Sequence, residues 1–197
     1  MGDEVLCFLS MCVCVYVVDF FSRTVLETLP KSLCVPLDTI LGHGFLAAAQ
    51  WLLGARLSGV STTSSQDLWL ALFAGVVSLG MDGDHFLEGG SLSLKSALNL
   101  PTRPFAHTVL FFVGILVVAT AASSRGFLPP FLPLLLATAL AGHQLRDSVR
   151  RGFSWGPAVL GGSPPTPYLV YLVVMGLIPL GVSRGLRYQQ VNPILPL

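Results

Sequence analysis

The chain has 197 residues, of which 53% are hydrophobic and only 11% charged, with a mean hydropathy of +0.74 and a formal net charge of +1. A soluble domain carries about 25% charged residues, so this composition excludes an ordinary water-facing surface and indicates a multi-pass membrane protein whose partner is the lipid bilayer. The near-neutral balance gives no ground for nucleic acid or an acidic soluble partner, and it names no protein partner.

The expected fold is all-α: one membrane domain over 1–197, a multi-pass transmembrane helical bundle of about five to six spans. Residues 1–36 form a variable N-terminal segment, 37–182 the core helices and 183–197 a tail. The first apolar run, 5–21, is short and contains Asp19. Asp3 and Glu4 precede it where a secretory leader would carry positive charge, so it reads as a retained helix. All the cysteines (Cys7, Cys12, Cys14 and Cys34) lie in this N-terminal part and make no CxxC pair. Packing or palmitoylation suits Cys12 and Cys14 better than a disulfide, and a zinc ribbon is not indicated.

The second run, 37–55, carries His43 near its start. A Ser/Thr-rich connection, 58–66, leads to the third run, 68–86, which ends in Asp82, Asp84 and His85. Nineteen helical residues rise about 28 Å at about 1.5 Å each, close to the hydrocarbon thickness of a bilayer. The connection 88–103 is longer, and 91–98 has the character of a short interfacial helix. The fourth run, 105–122, begins with His107 close to its start; the fifth, 127–145, ends with His143, and Asp147 follows. A turn-forming linker at 161–167 precedes the last run, 167–182, in which Pro179 is expected to kink the helix.

Successive spans alternate direction, so the connections fall into two sets. One set holds Arg23, Lys31, Lys95, Arg103, Arg146, Arg150 and Arg151; the other holds Arg56, Arg125, Arg184 and Arg187. The positive-inside rule assigns the richer set to the cytosol. On this topology His43, His85, His107 and His143 all fall at the cytosolic face, together with Asp38, Asp82, Asp84 and Asp147. Ionisable groups cost about 2.5–3.5 kcal/mol each near a bilayer centre on insertion scales, less near the interface, so such groups face a cavity, a partner or an ion. Asp82 and His85 are spaced i, i+3, and His143 and Asp147 i, i+4; each pair shares a helical face. Neutral imidazole nitrogen and anionic carboxylate oxygen together suit zinc, manganese or iron.

The candidate metal ligands are therefore His43, Asp82, His85, His143 and Asp147, holding a divalent metal with zinc as one choice. His107 and Asp84 are the candidate catalytic residues, although His107 could also serve as a ligand and Asp84 as a carboxylate supporting the ligands. Arg103 and Arg146 are candidates for holding an anion. Such a site supports a metal-dependent hydrolase of a membrane-borne ester or phosphoester, in which the metal polarises the substrate oxygen and activates water. A proton relay or ion transporter, a non-catalytic scaffold and a bis-histidine haem protein are the alternatives. A relay would need polar groups continuing toward the other face.

Met81-Asp-Gly-Asp-His85, Arg103-Pro-Phe-Ala-His107-Thr108 and His143-Gln-Leu-Arg-Asp147 resemble the ordered motifs of the bacterial inner-membrane metal-dependent hydrolase family, sometimes labelled LexA-binding. The resemblance implies an early His at His43, a DxDH block at Asp82, Asp84 and His85, a third block at Arg103, His107 and Thr108, and a last block at His143 and Asp147. Thr102 stands where that family has a histidine, and Pro104 where it has glycine. Residues of about 35–175, notably Ser91–Leu98, Leu100–His107 and His143–Gly152, also resemble the transmembrane protein 267 family of animal multi-pass membrane proteins. That second resemblance implies a membrane location and no particular activity.

Overall fold

The computed structural model describes residues 2–60, 63–156 and 160–191. The middle of the Ser/Thr-rich connection and the end of the predicted tail lie outside the described residues. Those described build helices joined by turns, with isolated β-bridges and no strand among them.

Helix α1, Gly2–Thr24, turns Cys7, Met11, Val15, Val18, Asp19 and Ser22 inward. These positions recur at helical period and form one inward stripe with Asp19 at its buried end. All four cysteines are free. Helix α2, Lys31–Thr39, continues through a π-helical turn, Ile40–Phe45, into α3, Leu46–Ser58. The widened turn contains Gly42, His43 and Gly44, all buried; single π turns inside helices often mark functional positions. Gly59, at φ 65°, ends α3 in the left-handed conformation that glycine adopts without penalty.

Helix α4, Ser64–Gly80, starts with a capping box: the Thr63 hydroxyl accepts from the Gln66 amide and the Gln66 side chain accepts from the Thr63 amide. The predicted run 68–86 is interrupted after Gly80, and α5, Gly83–Glu88, carries Asp84 and His85. The short helix expected within 91–98 is α6, Leu94–Leu98. Helix α7, Val109–Ser124, begins later than the hydropathy indicates. Pro104 and a 3-10 turn at Phe105–His107 precede it, and the Thr108 hydroxyl caps it by accepting from the Phe111 amide. Helix α8, Leu132–Arg151, starts where Pro133 fits the first turn and runs past the predicted end at 145. Its last turns therefore hold His143, Arg146, Asp147 and Arg150 on one continuous helix. Helix α9, Tyr168–Val191, keeps Pro179 inside and extends beyond the predicted 182.

Helix α3 packs against α1, α4, α8 and α9, and α7 packs against α8. Small residues permit the close approaches. A Cβ on Gly54 would stand 2.7 Å from the Pro179 carbonyl oxygen, and one on Gly75 would stand 2.8 Å from the Gly44 carbonyl oxygen. One apolar cluster joins Met11, Val15 and Val18 to Leu46, Tyr171 and Met175. A second joins Trp51, Ala71, Ala74, Leu135, Ala139 and Val182.

The stretches Gly2–Thr28, Lys31–Ser58, Ser64–Glu88 and Tyr168–Val191 are long and apolar enough to cross a membrane. Val109–Ser124 is apolar but shorter, and α8 carries its polar turns within its length. The outward faces are apolar as well: Leu6, Val13, Trp69, Val76, Val118 and Leu169 are all exposed. Such a surface is favourable against lipid and costly against water.

Candidate metal centre

The interruption between α4 and α5, the π turn, the 3-10 turn before α7 and the end of α8 meet at one end of the bundle. They bring His43, His85, His107 and His143 together. His43 stacks on His143 with ring centroids 3.9 Å apart, His107 meets His143 at 4.9 Å, and His85 meets His107 edge-on at 4.6 Å. His107 and His143 are 1% and 0% exposed.

The partners of each ring decide which nitrogen is free. A carbonyl can only accept, so His143 Nδ1–H donates to the Ser78 carbonyl at 2.9 Å, leaving Nε2 with its lone pair. Asp84 does the same service twice. Its Oδ1 lies 3.1 Å from His85 Nδ1 and its Oδ2 lies 3.2 Å from His107 Nδ1. Oδ2 also accepts from the Ala106 amide at 2.9 Å. Asp84 is 4% exposed and does not line the adjoining cavity. It is a carboxylate that orients two histidines, the usual support beneath metal-binding imidazoles. The Ala106–His107 turn is further held by Gln144, whose side-chain amide donates to the Ala106 carbonyl at 3.2 Å, and by Glu88, which accepts from the Phe105 amide at 2.8 Å.

The atoms facing the centre fit a cation. His107 Nε2 and His143 Nε2 are 3.0 Å apart, and His107 Nε2 lies 3.3 Å and His143 Nε2 3.7 Å from Asp82 Oδ1. Asp147 faces the same space, with Oδ1 3.7 Å from His43 Nε2 and Oδ2 3.7 Å from His107 Nε2. Two trios could each hold a metal ion: His43, His143 and Asp147, and Asp82, His85 and His107. In the absence of metal, the short contact between two imidazole nitrogens needs a proton. Burial opposes protonation of His107, but hydrogen bonds to Asp82 and Asp84 outweigh it and raise its pKa to about 9.

The arginines lie in different settings. Arg103 donates to Asp147 Oδ2 at 3.1 Å and to the Gly152 carbonyl at 2.6 Å, so it fixes the carboxylate and the turn after α8. Arg146 is buried, with its donors turned from the histidine rings to carboxylates. It binds Asp38 with both terminal nitrogens, at 2.7 and 3.2 Å, and reaches Asp19 through Nε at 3.4 Å. Tyr168 donates to Asp19 at 3.2 Å, and Arg150 to Asp38 at 3.1 Å. This network ties α1, α2, α8 and α9 together, which accounts for Asp19 at the end of an apolar helix. The sequence pattern makes Arg146 a candidate for holding an anion. Its donors are instead turned toward Asp38 and Asp19, and Arg150 and Arg151 are the arginines that reach the cavity.

That cavity, of about 570 Å³, opens beside the centre. His43, Asp82, His85 and Asp147 form part of its lining, while Val35, Pro36, Ile40, Leu79, Phe86 and Leu98 contribute an apolar wall.

The chain is similar to transmembrane protein 267. It is 35% identical to the Bos taurus protein over 113 residues, covering 55% of this chain and 51% of that protein. The Mus musculus protein is 32% identical over 134 residues, covering 66% and 59%, and the Danio rerio protein 30% identical over 126 residues, covering 61% and 55%. The chain thus spans roughly half to three-fifths of the length of these relatives, whose name states a membrane location and nothing further. No protein-family model matches the chain, and no solved structure matches it significantly. The resemblance to the bacterial hydrolases accordingly rests on the motifs alone.

Proposed function

We propose that this membrane protein is a metal-dependent hydrolase of an amphiphilic ester or phosphoester, with its site at the cytosolic face. The observation that carries the reading is the shared cavity: one space is bounded both by metal-type donors and by an apolar wall. A substrate that fits has a polar ester group and a hydrocarbon part, the chemistry of a membrane lipid. The donor set of imidazoles and carboxylates suits zinc or another divalent first-row metal. Such an ion, when bound, polarises an ester or phosphoryl oxygen and activates water.

The chain's own residues have separable tasks. His43, Asp82, His85, His107, His143 and Asp147 would hold the metal. Asp84 and the Ser78 carbonyl fix the imidazole orientations, and Arg103 fixes Asp147. Arg150 and Arg151 would attract an anionic headgroup, Arg150 sharing its charge with Asp38. The apolar wall excludes water from the far side of the substrate.

The test is turnover by metal-loaded protein on phospholipid, lipid-phosphate and acyl-ester substrates in mixed micelles. Metal-dependent hydrolysis of one class, absent from the Asp82→Ala/His143→Ala variant, is expected. Metal-bound protein that hydrolyses none of them would leave a binding or scaffold role.

A further inference from the structure

The six donors are too many for one zinc ion, whose sites are almost always four-coordinate. They also divide in space. The donor atoms of His43, His143 and Asp147 lie within 4.8 Å of one another, as do those of Asp82, His85 and His107. The trios meet where His107 Nε2 and His143 Nε2 approach to 3.0 Å. Asp147 spans them. Its Oδ1 faces His43 in one trio and its Oδ2 faces His107 in the other, at 3.7 Å each. Arg103 donates to Oδ2 and so holds the carboxylate in this straddling orientation. His43 adds a separate sign. It is 7% exposed, and its Nδ1 is buried without a hydrogen-bond partner among the described residues. Leaving such an atom unpaired is costly, and a metal ion taken by that nitrogen would relieve it.

We propose that the centre holds two divalent metal ions, one in each trio, with the Asp147 carboxylate bridging them. This rests on the metal-binding reading above and deepens it: paired ions are suited to displacement at phosphorus or at a carbonyl, where attacking and leaving oxygens are both stabilised. The bridging role belongs to Asp147, whose two oxygens each face a different trio, whereas Asp82 reaches both trios through Oδ1 alone.

The test is metal binding by the full chain, purified in detergent and loaded with Mn²⁺. Metal is counted by elemental analysis, and the ions are compared by electron paramagnetic resonance. The expected result is two Mn²⁺ per chain with an exchange-coupled spectrum. Asp147→Asn, which keeps the side-chain shape, should lose the coupling. His43→Ala should reduce the content to one ion with an isolated-ion spectrum, in protein that remains monodisperse by size-exclusion chromatography. One ion per chain in the wild type, with an uncoupled spectrum unchanged by His43→Ala, would overturn the pair and leave a single-metal centre standing. Wild type that binds no Mn²⁺, Zn²⁺ or Fe²⁺ would overturn the metal-binding reading and the pair with it.

Discussion

The Arg146 guanidinium lies directly against the Cα of Gly42, in the space that a side chain at position 42 would occupy. The glycine sits in the π turn that also carries His43. One backbone feature therefore serves both the candidate metal centre and the buried ion-pair network beside it.

Gly42→Ala should displace Arg146 from Asp38 and Asp19. Breaking a buried ion pair on one side costs about 3–5 kcal/mol, because the remaining charge is left without compensation. Thermal unfolding in detergent should show a markedly lower midpoint for Gly42→Ala. Gly80→Ala, where a Cβ meets nothing within 4 Å, should leave it nearly unchanged. Equal midpoints for both variants would mean that Arg146 has another place to go.

Asp84→Asn should weaken metal binding without filling or emptying any ligand position. The carboxylate accepts from two imidazole Nδ1–H groups, and an amide can offer an acceptor to only one of them. Loss of such support lowers metal affinity by about 10–100-fold. Competition against a chelator of known affinity measures this, and an unchanged affinity would remove Asp84 from the orienting role.

Metal loading at neutral pH should release protons. The His107 pKa is raised from 6.5 to about 9, so without metal the ring is protonated at pH 7, whereas a metal-bound imidazole must give up its Nε2 proton. Apparent affinity should therefore rise with pH up to about 9 and then level off as far as His107 is concerned. Calorimetry in two buffers of different ionisation enthalpy reads the released protons directly. His107→Gln should reduce their number, and equal heats in both buffers would contradict a protonated His107.

The metal end of the bundle should face the cytosol. Ser93 and Arg151 are exposed on that side, and Ser124 at the opposite end of α7. In a background without Cys7, Cys12, Cys14 and Cys34, Ser93→Cys and Arg151→Cys should react with an impermeant thiol reagent supplied from the cytosol, and Ser124→Cys only from the other side. The reverse pattern would invert the topology while leaving the centre intact.

Composition and hydropathy alone determine that this is an all-helical membrane protein. Eleven per cent charge cannot clothe a water-facing surface. The alternation of spans also puts His43, His85, His107 and His143 at one end, since which end of a helix a residue occupies follows from counting along the chain. Rotation about the helix axis is another matter. It depends on where neighbouring backbones can approach, and here Gly54 and Gly75 set those approaches. Tertiary packing therefore decided that Arg146 turns to Asp38 and Asp19 while Asp147, one residue later on α8, turns to the histidines. It decided that Asp84 supports rings while Asp82 faces the centre. It also set the helix limits that hydropathy misplaced: His107 stays outside α7 because Pro104 and the Thr108 cap delay the helix, and Asp147 stays inside α8 because its polar side chains are satisfied by partners that only the folded bundle supplies.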